Sequence, residues 1–275
     1  MSDAETRVGA WPVEQTLALG WRLEHFPTIG STNDEARKRA LQGDRGRLWI
    51  VADEQKAGRG RLGRTWVSPP GNLYASALLL DPAPVARGFE IGFVAALALH
   101  RAVSDLGGSG FFLKWPNDLI WRGAKVAGLL AEGVTLASGA FACIIGVGVN
   151  CAVAPQGAPY PTTSLSAAFG RAVAPAELFG ALAPRFAEAL AIWRGGEGFA
   201  EIRAAWLQVA AGLGAPIRIS GADGGREGVF EALDARGRLL LRRAGRLEIV
   251  EAGDVRLLGE PAPAAGEAAG KASRR

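Results

Sequence analysis

Asp53-Glu-Gln-Lys-Ala-Gly-Arg-Gly-Arg-Leu-Gly-Arg-Thr-Trp66 packs three glycines and three arginines into the seven residues from Gly58 to Arg64. Core strands and amphipathic helices do not have that composition. Glycine admits positive φ and lets a backbone approach a ligand closely. Arginine carries a permanent charge on a planar donor fork that matches phosphate and carboxylate. A solvated surface loop and a loop folded over an anion both fit these residues. The stretch follows the strand-like run Leu48-Trp-Ile-Val-Ala52 and runs into Pro69-Pro70-Gly71. Gly58, Gly60 and Gly63 also match the dinucleotide pattern G-x-G-x-x-G, but that fingerprint needs a helix opening on its third glycine. Two prolines cannot continue a helix, so the Rossmann reading fails on context. No Gly-Lys-Ser/Thr triplet follows, which removes a P-loop as well.

Outward from this loop, Arg22 to Phe26 alternates as a strand. Ile29-Gly-Ser-Thr-Asn-Asp-Glu35 then opens a helix, with Ser31 or Thr32 as N-cap and Asp34 and Glu35 suited to the helix dipole. Such a start either only caps the helix or offers free N–H groups and hydroxyls to a polar ligand. Downstream, 72–80 reads as a buried strand and 89–106 as a helix with little polarity. Strands at 111–115 and 119–121 flank Pro116-Asn-Asp118, two more follow at 125–132 and 140–149, and 175–193 and 199–211 are amphipathic helices. Gly146 and Gly148 mark either a close approach by a ligand or neighbour, or a bulge. After a break at 212–216, short strands near 217–220, 227–233, 238–243 and 246–250 fit a small β-barrel. From Glu260 the chain is rich in Ala, Pro and Gly and reads as disordered.

The 275 residues, 49% of them hydrophobic, suffice for one large domain and a smaller one. A net charge of +4 suits an anionic substrate or partner without requiring nucleic acid. Only five of the 31 basic residues are lysines, so Lys114 and Lys125 at the ends of apolar strands stand out. A buried lysine must be paired or lose its charge, yet either ammonium can also snorkel to solvent. Asn117-Asp118 is ordinary turn chemistry, and Trp66 by itself fits core packing. Cys143 and Cys151 are too few for a zinc site or disulfide framework, and His25 and His100 stand far apart, so no protein metal site is expected. Asp3, Glu5 and Glu14 argue against a signal peptide, and no apolar run spans a bilayer, so a cytoplasmic protein without membrane contact is expected.

Taken together, these stretches resemble the catalytic domain of biotin protein ligases. Gly-Arg-Gly-Arg-Leu-Gly-Arg-Thr-Trp66 is similar to the family's biotin-binding loop. Ser31-Thr-Asn33, Gln55, Lys114-Trp-Pro-Asn-Asp118, Lys125-Val-Ala-Gly-Leu-Leu, Gly146-Val-Gly-Val-Asn150 and Thr163-Ser-Leu165 occur in the family's order. The resemblance covers roughly residues 25 to 258 and rests on the ordered set, since each motif alone is unspecific. It implies an α+β fold: an N-terminal arm (1–24), a mixed-sheet catalytic domain packed with helices (25–212), a small SH3-like β-barrel (213–259) and a disordered tail (260–275).

The implied activity is ATP-dependent biotinylation of a lysine on a biotin carboxyl carrier domain, through biotinyl-5′-AMP, with Mg2+ accompanying ATP. The natural acceptor is the biotin carboxyl carrier protein of acetyl-CoA carboxylase. The resemblance implies Lys125, Arg61 and Arg59 as catalytic residues. It implies that Ser31, Thr32, Asn33, Gln55, Arg59, Gly60, Arg61, Lys125 and Gly128 hold biotin. Gly58, Arg64, Trp66, Lys114, Asn117, Asp118 and Asn150 would hold ATP. Some members carry an N-terminal winged helix-turn-helix; the residues before position 25 are too few for one, so no DNA partner is expected, in a monomer or homodimer. The sister family of lipoate ligases is disfavoured because its Arg-Arg-x-x-Gly-Gly-Gly motif is absent. An RNA-binding module would need an aromatic platform beyond Trp66.

Overall fold

The computed structural model describes residues 10–220 and 225–258. Helix α1 (Val13–Ala18) precedes strand β1 (Arg22–Ile29), helix α2 (Thr32–Leu41) and strand β2 (Leu48–Gln55). Then follow β3 (Leu73–Leu80), α3 (Ile91–Asp105), β4 (Phe111–Lys114), β5 (Asp118–Trp121), β6 (Ala124–Thr135) and β7 (Phe141–Val149). Helices α4 (Leu165–Phe169), α5 (Pro175–Trp193) and α6 (Phe199–Gln208) lead to β8 (Pro216–Ser220), β9 (Arg226–Leu233), β10 (Leu239–Arg243), β11 (Arg246–Val250) and β12 (Asp254–Leu257).

The first seven strands form one mixed sheet in the order β1-β2-β3-β7-β6-β5-β4, with β1 and β2 parallel and the other neighbours antiparallel. Strand β2 shows why its sequence is a continuous apolar run. Trp49 and Val51 face the large core with α3 and α5, whereas Leu48 and Ile50 face a smaller core under α2. A strand buried on both faces loses the polar alternation of a half-exposed one. The α2 face changes character along its length. Leu78, Ala142 and Ile144 are covered by Ala36 and Ala40 of α2. Beyond the start of α2, the same face presents Tyr74, Ser76, Gly146 and Gly148, which lie in or beside an open cavity.

The last five strands form a second antiparallel sheet, ordered β11-β10-β9-β8-β12. A small barrel was expected here, but among the described residues the ladder stays open, with β11 and β12 at its edges. Its apolar side, including Ile217, Phe230 and Leu241, belongs to the same core as Phe93 of α3 and Trp206 of α6. With that face covered by helices, the sheet has no need to close on itself to bury it. The residues expected as an N-terminal arm contribute α1 and the start of β1, and Trp21 is buried against Trp49. Helix α4 and strand β12 were not anticipated; each is only four or five residues long and lacks the flanking turn signal that marked β4 and β5 around Pro116-Asn-Asp118. The expected disordered tail, 260–275, lies outside the described residues. Among the described residues no helix is long and apolar enough to cross a membrane.

Candidate active site

The Gly/Arg stretch is a hairpin. Bridges Gln55–Ser68 and Arg59–Thr65 pair its arms, and its tip is a 3-10 turn over Arg61–Gly63, with Leu62 at φ 57° and Gly63 at φ 71°. Gly58 is buried at its base. A Cβ there would lie 2.5 Å from the Trp66 carbonyl oxygen and 2.6 Å from Ser68 Oγ, so only glycine lets the arms close. The hairpin covers one side of a cavity of about 480 Å3, within the range of small-molecule sites.

At one end of the cavity sits the start of α2. Ser31 caps the helix by accepting from the Asp34 N–H, so the capping alternative holds for Ser31. Thr32 and Asn33 continue into a buried network. Gln55 Oε1 accepts from Thr32 N (2.9 Å) and Thr32 Oγ1 (3.1 Å), and Ser76 Oγ lies 2.7 Å from Thr32 Oγ1 and 2.6 Å from Asn33 Oδ1. Asn33 Nδ2 donates to Glu132 Oε2 at 2.6 Å. A Cβ on Gly146 would collide with Asn33 Oδ1, so this glycine marks a close neighbour, not a bulge. Arg59 closes the cluster by pairing with Asp34 (2.5 Å) and Glu132 (3.4 Å). The Asp34 hydrogen bond holds its guanidinium above the ordinary arginine value.

At the other end, the β4–β5 hairpin carries Lys114 and Asp118 opposite each other, and β6 brings in Lys125. Asp118 receives both ammonium groups, Lys125 Nζ at 2.7 Å from Oδ1 and Lys114 Nζ at 3.2 Å from Oδ2. Asp118 is thus the partner for Lys125 that the sequence did not reveal. Trp66 lies over Gly148, where a Cβ would be 2.6 Å from its Nε1, and Lys125 Nζ is 5.3 Å from its ring centroid.

Arg61 differs from its neighbours. It donates to Asn117 Oδ1 (3.2 Å) and reaches the Gly253 carbonyl at 3.5 Å, and among the described residues it forms no ion pair with a carboxylate. Burial pushes its guanidinium below the ordinary arginine value. Arg64 pairs with Asp254 at 3.0 Å. Burial is the largest single influence on Asp254 and favours its neutral carboxyl, but the Arg64 hydrogen bond together with the charges of Arg64, Arg61 and Lys114 outweighs it, and the net shift is downward. The cavity therefore holds a half-buried cation that makes no direct ion pair among the described residues, beside two lysines that share one carboxylate. An anion entering there would be stabilised by charges already in place.

Most of the expected site residues meet here: Ser31, Thr32, Asn33, Gln55, Arg59, Gly60, Arg61, Arg64, Trp66, Lys114, Asn117, Asp118, Lys125 and Gly128 line one cavity. Two do not. Gly58 is enclosed within the hairpin, and Asn150 is buried, donating from Nδ2 to the Thr163 carbonyl at 3.1 Å. Glu132, Ser76, Tyr160 and Asp254 were missed as site residues. Glu132 is a lone acid in an apolar strand and Tyr160 is one of only two tyrosines, bracketed by Pro159 and Pro161. Among the described residues no cluster of three His, Cys, Asp or Glu side chains could hold a metal.

Residues 26–150 match the model of the biotin/lipoate A/B protein ligase family. Over 235 residues the chain is 40% identical to a biotin–[acetyl-CoA-carboxylase] ligase of Paracoccus denitrificans, covering 82% of this chain and 96% of that one. The chain belongs to the biotin protein ligase family. It is a ligase. Among solved structures, the biotin protein ligase of Aquifex aeolicus in complex with biotin and ATP aligns at a TM-score of 0.73 and 26% identity, over 86% of this chain and 98% of that one. The Leishmania major ligase in complex with biotinyl-5-AMP aligns at 0.58 and 26% identity, over 84% and 98%. The mixed sheet and its companion antiparallel sheet are those of this ligase fold.

Proposed function

We propose that this ligase joins biotin to a lysine of the biotin carboxyl carrier domain of acetyl-CoA carboxylase, at the expense of ATP and through biotinyl-5′-AMP. The observation that carries this reading is Arg61: a half-buried guanidinium without a carboxylate partner, in the same cavity as the Lys114–Asp118–Lys125 triad. The names of the relatives and the ligands of the aligned structures supply the substrates.

In the first step a carboxylate oxygen of biotin attacks the α-phosphorus of ATP, and pyrophosphate leaves. Two anions must approach, so fixed cations between them lower the barrier by charge stabilisation that needs no reorganisation. Arg61 and Lys125 occupy that position in the proposed complex, with Lys114 beside the phosphates. Arg59 is held by Asp34 and Glu132, so reaching the ligand requires it to leave them as the hairpin closes. Gln55 and Thr32 face the ureido ring of biotin, whereas Asn33 acts by ordering that end of the cavity. Trp66 flanks the adenylate, and Arg64 keeps the hairpin closed over it. Mg2+ enters as the counter-ion of ATP: the carboxylates around the cavity, Asp118, Glu132 and Asp254, are already held by lysine or arginine.

In the second step the neutral amine of the acceptor lysine attacks the acyl carbon, AMP leaves and an amide forms. Until then the covering hairpin keeps water from the mixed anhydride. Asn150 and Gly58 serve this site by holding the loop after β7 and the hairpin base, without direct contact.

The test is pyrophosphate release with biotin, with lipoate and with neither, followed by transfer to a carrier domain. Biotin-dependent release and labelling of one carrier lysine are expected; release with lipoate instead would assign the sister activity. Lys125→Ala should lower release by about 100-fold with the fold retained. Near-parental release by that variant would remove Lys125 from the chemistry.

A further inference from the structure

Lys125 is enclosed on more sides than its reaction role requires. Its Nζ lies 2.7 Å from Asp118 and 5.3 Å from the centroids of both Trp66 and Tyr160. Trp66 arrives with the hairpin, but Tyr160 is part of the wall behind β6. Lys125 N–H donates to the Pro161 carbonyl at 2.8 Å, and the Thr163 N–H donates to the Lys125 carbonyl at 2.9 Å. Thr162 Oγ1 donates to the Pro155 carbonyl at 2.8 Å and closes the loop on itself. The segment carrying Tyr160 is therefore tied to the backbone of the very lysine whose ammonium its ring faces.

We propose that Tyr160 is a positioning residue for the adenylation step, a conclusion that rests on the proposed biotin ligase reading. Its ring face attracts the ammonium without neutralising it. A second carboxylate would also orient Lys125, but would cancel the charge that the reacting anions need. With Asp118 below and the ring beside it, the flexible four-carbon stem keeps Nζ directed into the cavity instead of swinging to solvent. Preorganisation of this kind acts on the transition state, so its loss appears in kcat more than in KM.

Three proteins decide it: the parent, Tyr160→Phe and Tyr160→Leu, compared by biotin-dependent exchange of pyrophosphate into ATP. Tyr160→Phe retains the ring face and should run at the parental rate. Tyr160→Leu should lose about ten-fold in kcat, with KM for biotin and for MgATP within about two-fold of the parent and an unchanged melting temperature. A parental kcat in Tyr160→Leu overturns the proposal, as does a Phe variant no better than Leu. A raised KM for ATP at unchanged kcat also overturns it, by making Tyr160 a nucleotide contact. If the parent itself gives no exchange, the ligase reading fails first, and the cage is then tested on the free protein. Lys125 should react with an amine acylating reagent faster in Tyr160→Leu than in the parent and Tyr160→Phe, followed by peptide mass spectrometry. Equal labelling in all three overturns the cage.

Discussion

Asp118 stands between two ammonium groups, and its removal would leave Lys114 and Lys125 facing each other with no counter-charge. Hydrogen bonds to charged groups contribute about 1.5–3 kcal/mol each way, so Asp118→Ala should lower the unfolding free energy by about 1.5–3 kcal/mol in a urea titration. Adenylation should fall with it, since both lysines then turn toward solvent. Gly148 makes a second, sterically defined case. A Cβ there would lie 2.6 Å from Trp66 Nε1 and 2.7 Å from Cε2, so Gly148→Ala must displace the indole. Overpacking of this kind costs about 1–3 kcal/mol. The expected signs are a changed tryptophan emission and faster loss of biotinyl-adenylate after a single turnover; unchanged retention would mean the indole plays no part in the closed site. Lysines and glycines of this kind were visible as anomalies in the sequence. Their partners were not, because Lys125 meets Asp118 only once β5 and β6 pair in their bulged register, and Gly148 meets Trp66 only across a loop distant in the chain.

At the scale of elements, the hairpin from Gln55 to Ser68 is held from two sides. Its base is tied to β1 by backbone bonds from Lys56 and Ala57 to Ile29 and Gly30. Its tip is held at the start of β12, through Arg61 to Gly253 just before the strand and Arg64 to Asp254, its first residue. Both members of the Arg64–Asp254 pair are about half exposed, so the pair contributes at most about 1 kcal/mol to stability. Its weight lies in where it acts. Asp254→Ala should leave the melting temperature nearly unchanged, yet speed the escape of biotinyl-adenylate by several-fold, read by rapid gel filtration after a single turnover. The pH dependence has a definite sign. Because Asp254 is held below its ordinary value, the latch is complete above the normal carboxylate range. It is lost as pH falls through the lowered Asp254 pKa. The sequence showed a loop by its glycines and arginines, but not that it is a hairpin, and the element that latches it belongs to the second sheet, with no local pattern connecting the two.

For the whole molecule, each sheet buries one apolar side in the same continuous core. Ile217, Phe230 and Leu241 share it with Phe93, Phe199 and Trp206, and Trp115 Nε1 donates to the Gly237 carbonyl at 3.0 Å. Regions that share a core unfold together, so calorimetry should give one transition whose width matches that from circular dichroism. Two separate transitions would show that the second sheet is an independent unit. The same burial governs the thiols. Cys143 and Cys151 are both buried, and burial pushes each thiol up to about 12. Both should be silent to a thiol reagent in the native protein and react when it is denatured.

The sequence by itself determined most of the element order, the helix start at Ser31–Asn33 and the Gly/Arg loop, and its resemblance to a ligase family named most of the residues that meet in the cavity. The elements follow from local chemistry, since apolar period, turn residues and charge are written along the chain, and the site residues from the ordered set of motifs that carries the resemblance. Tertiary structure decided the rest. It assigned Asp118 to Lys125, committed Arg59 to Asp34 and Glu132, left Arg61 without a direct carboxylate contact among the described residues and withdrew Asn150 from the cavity wall. It also left the second sheet open, its apolar face covered by α3 and α6. Charge pairing and burial depend on strand register and on distances between segments, many of them far apart in the chain, and those distances exist only once the sheet has brought the segments together.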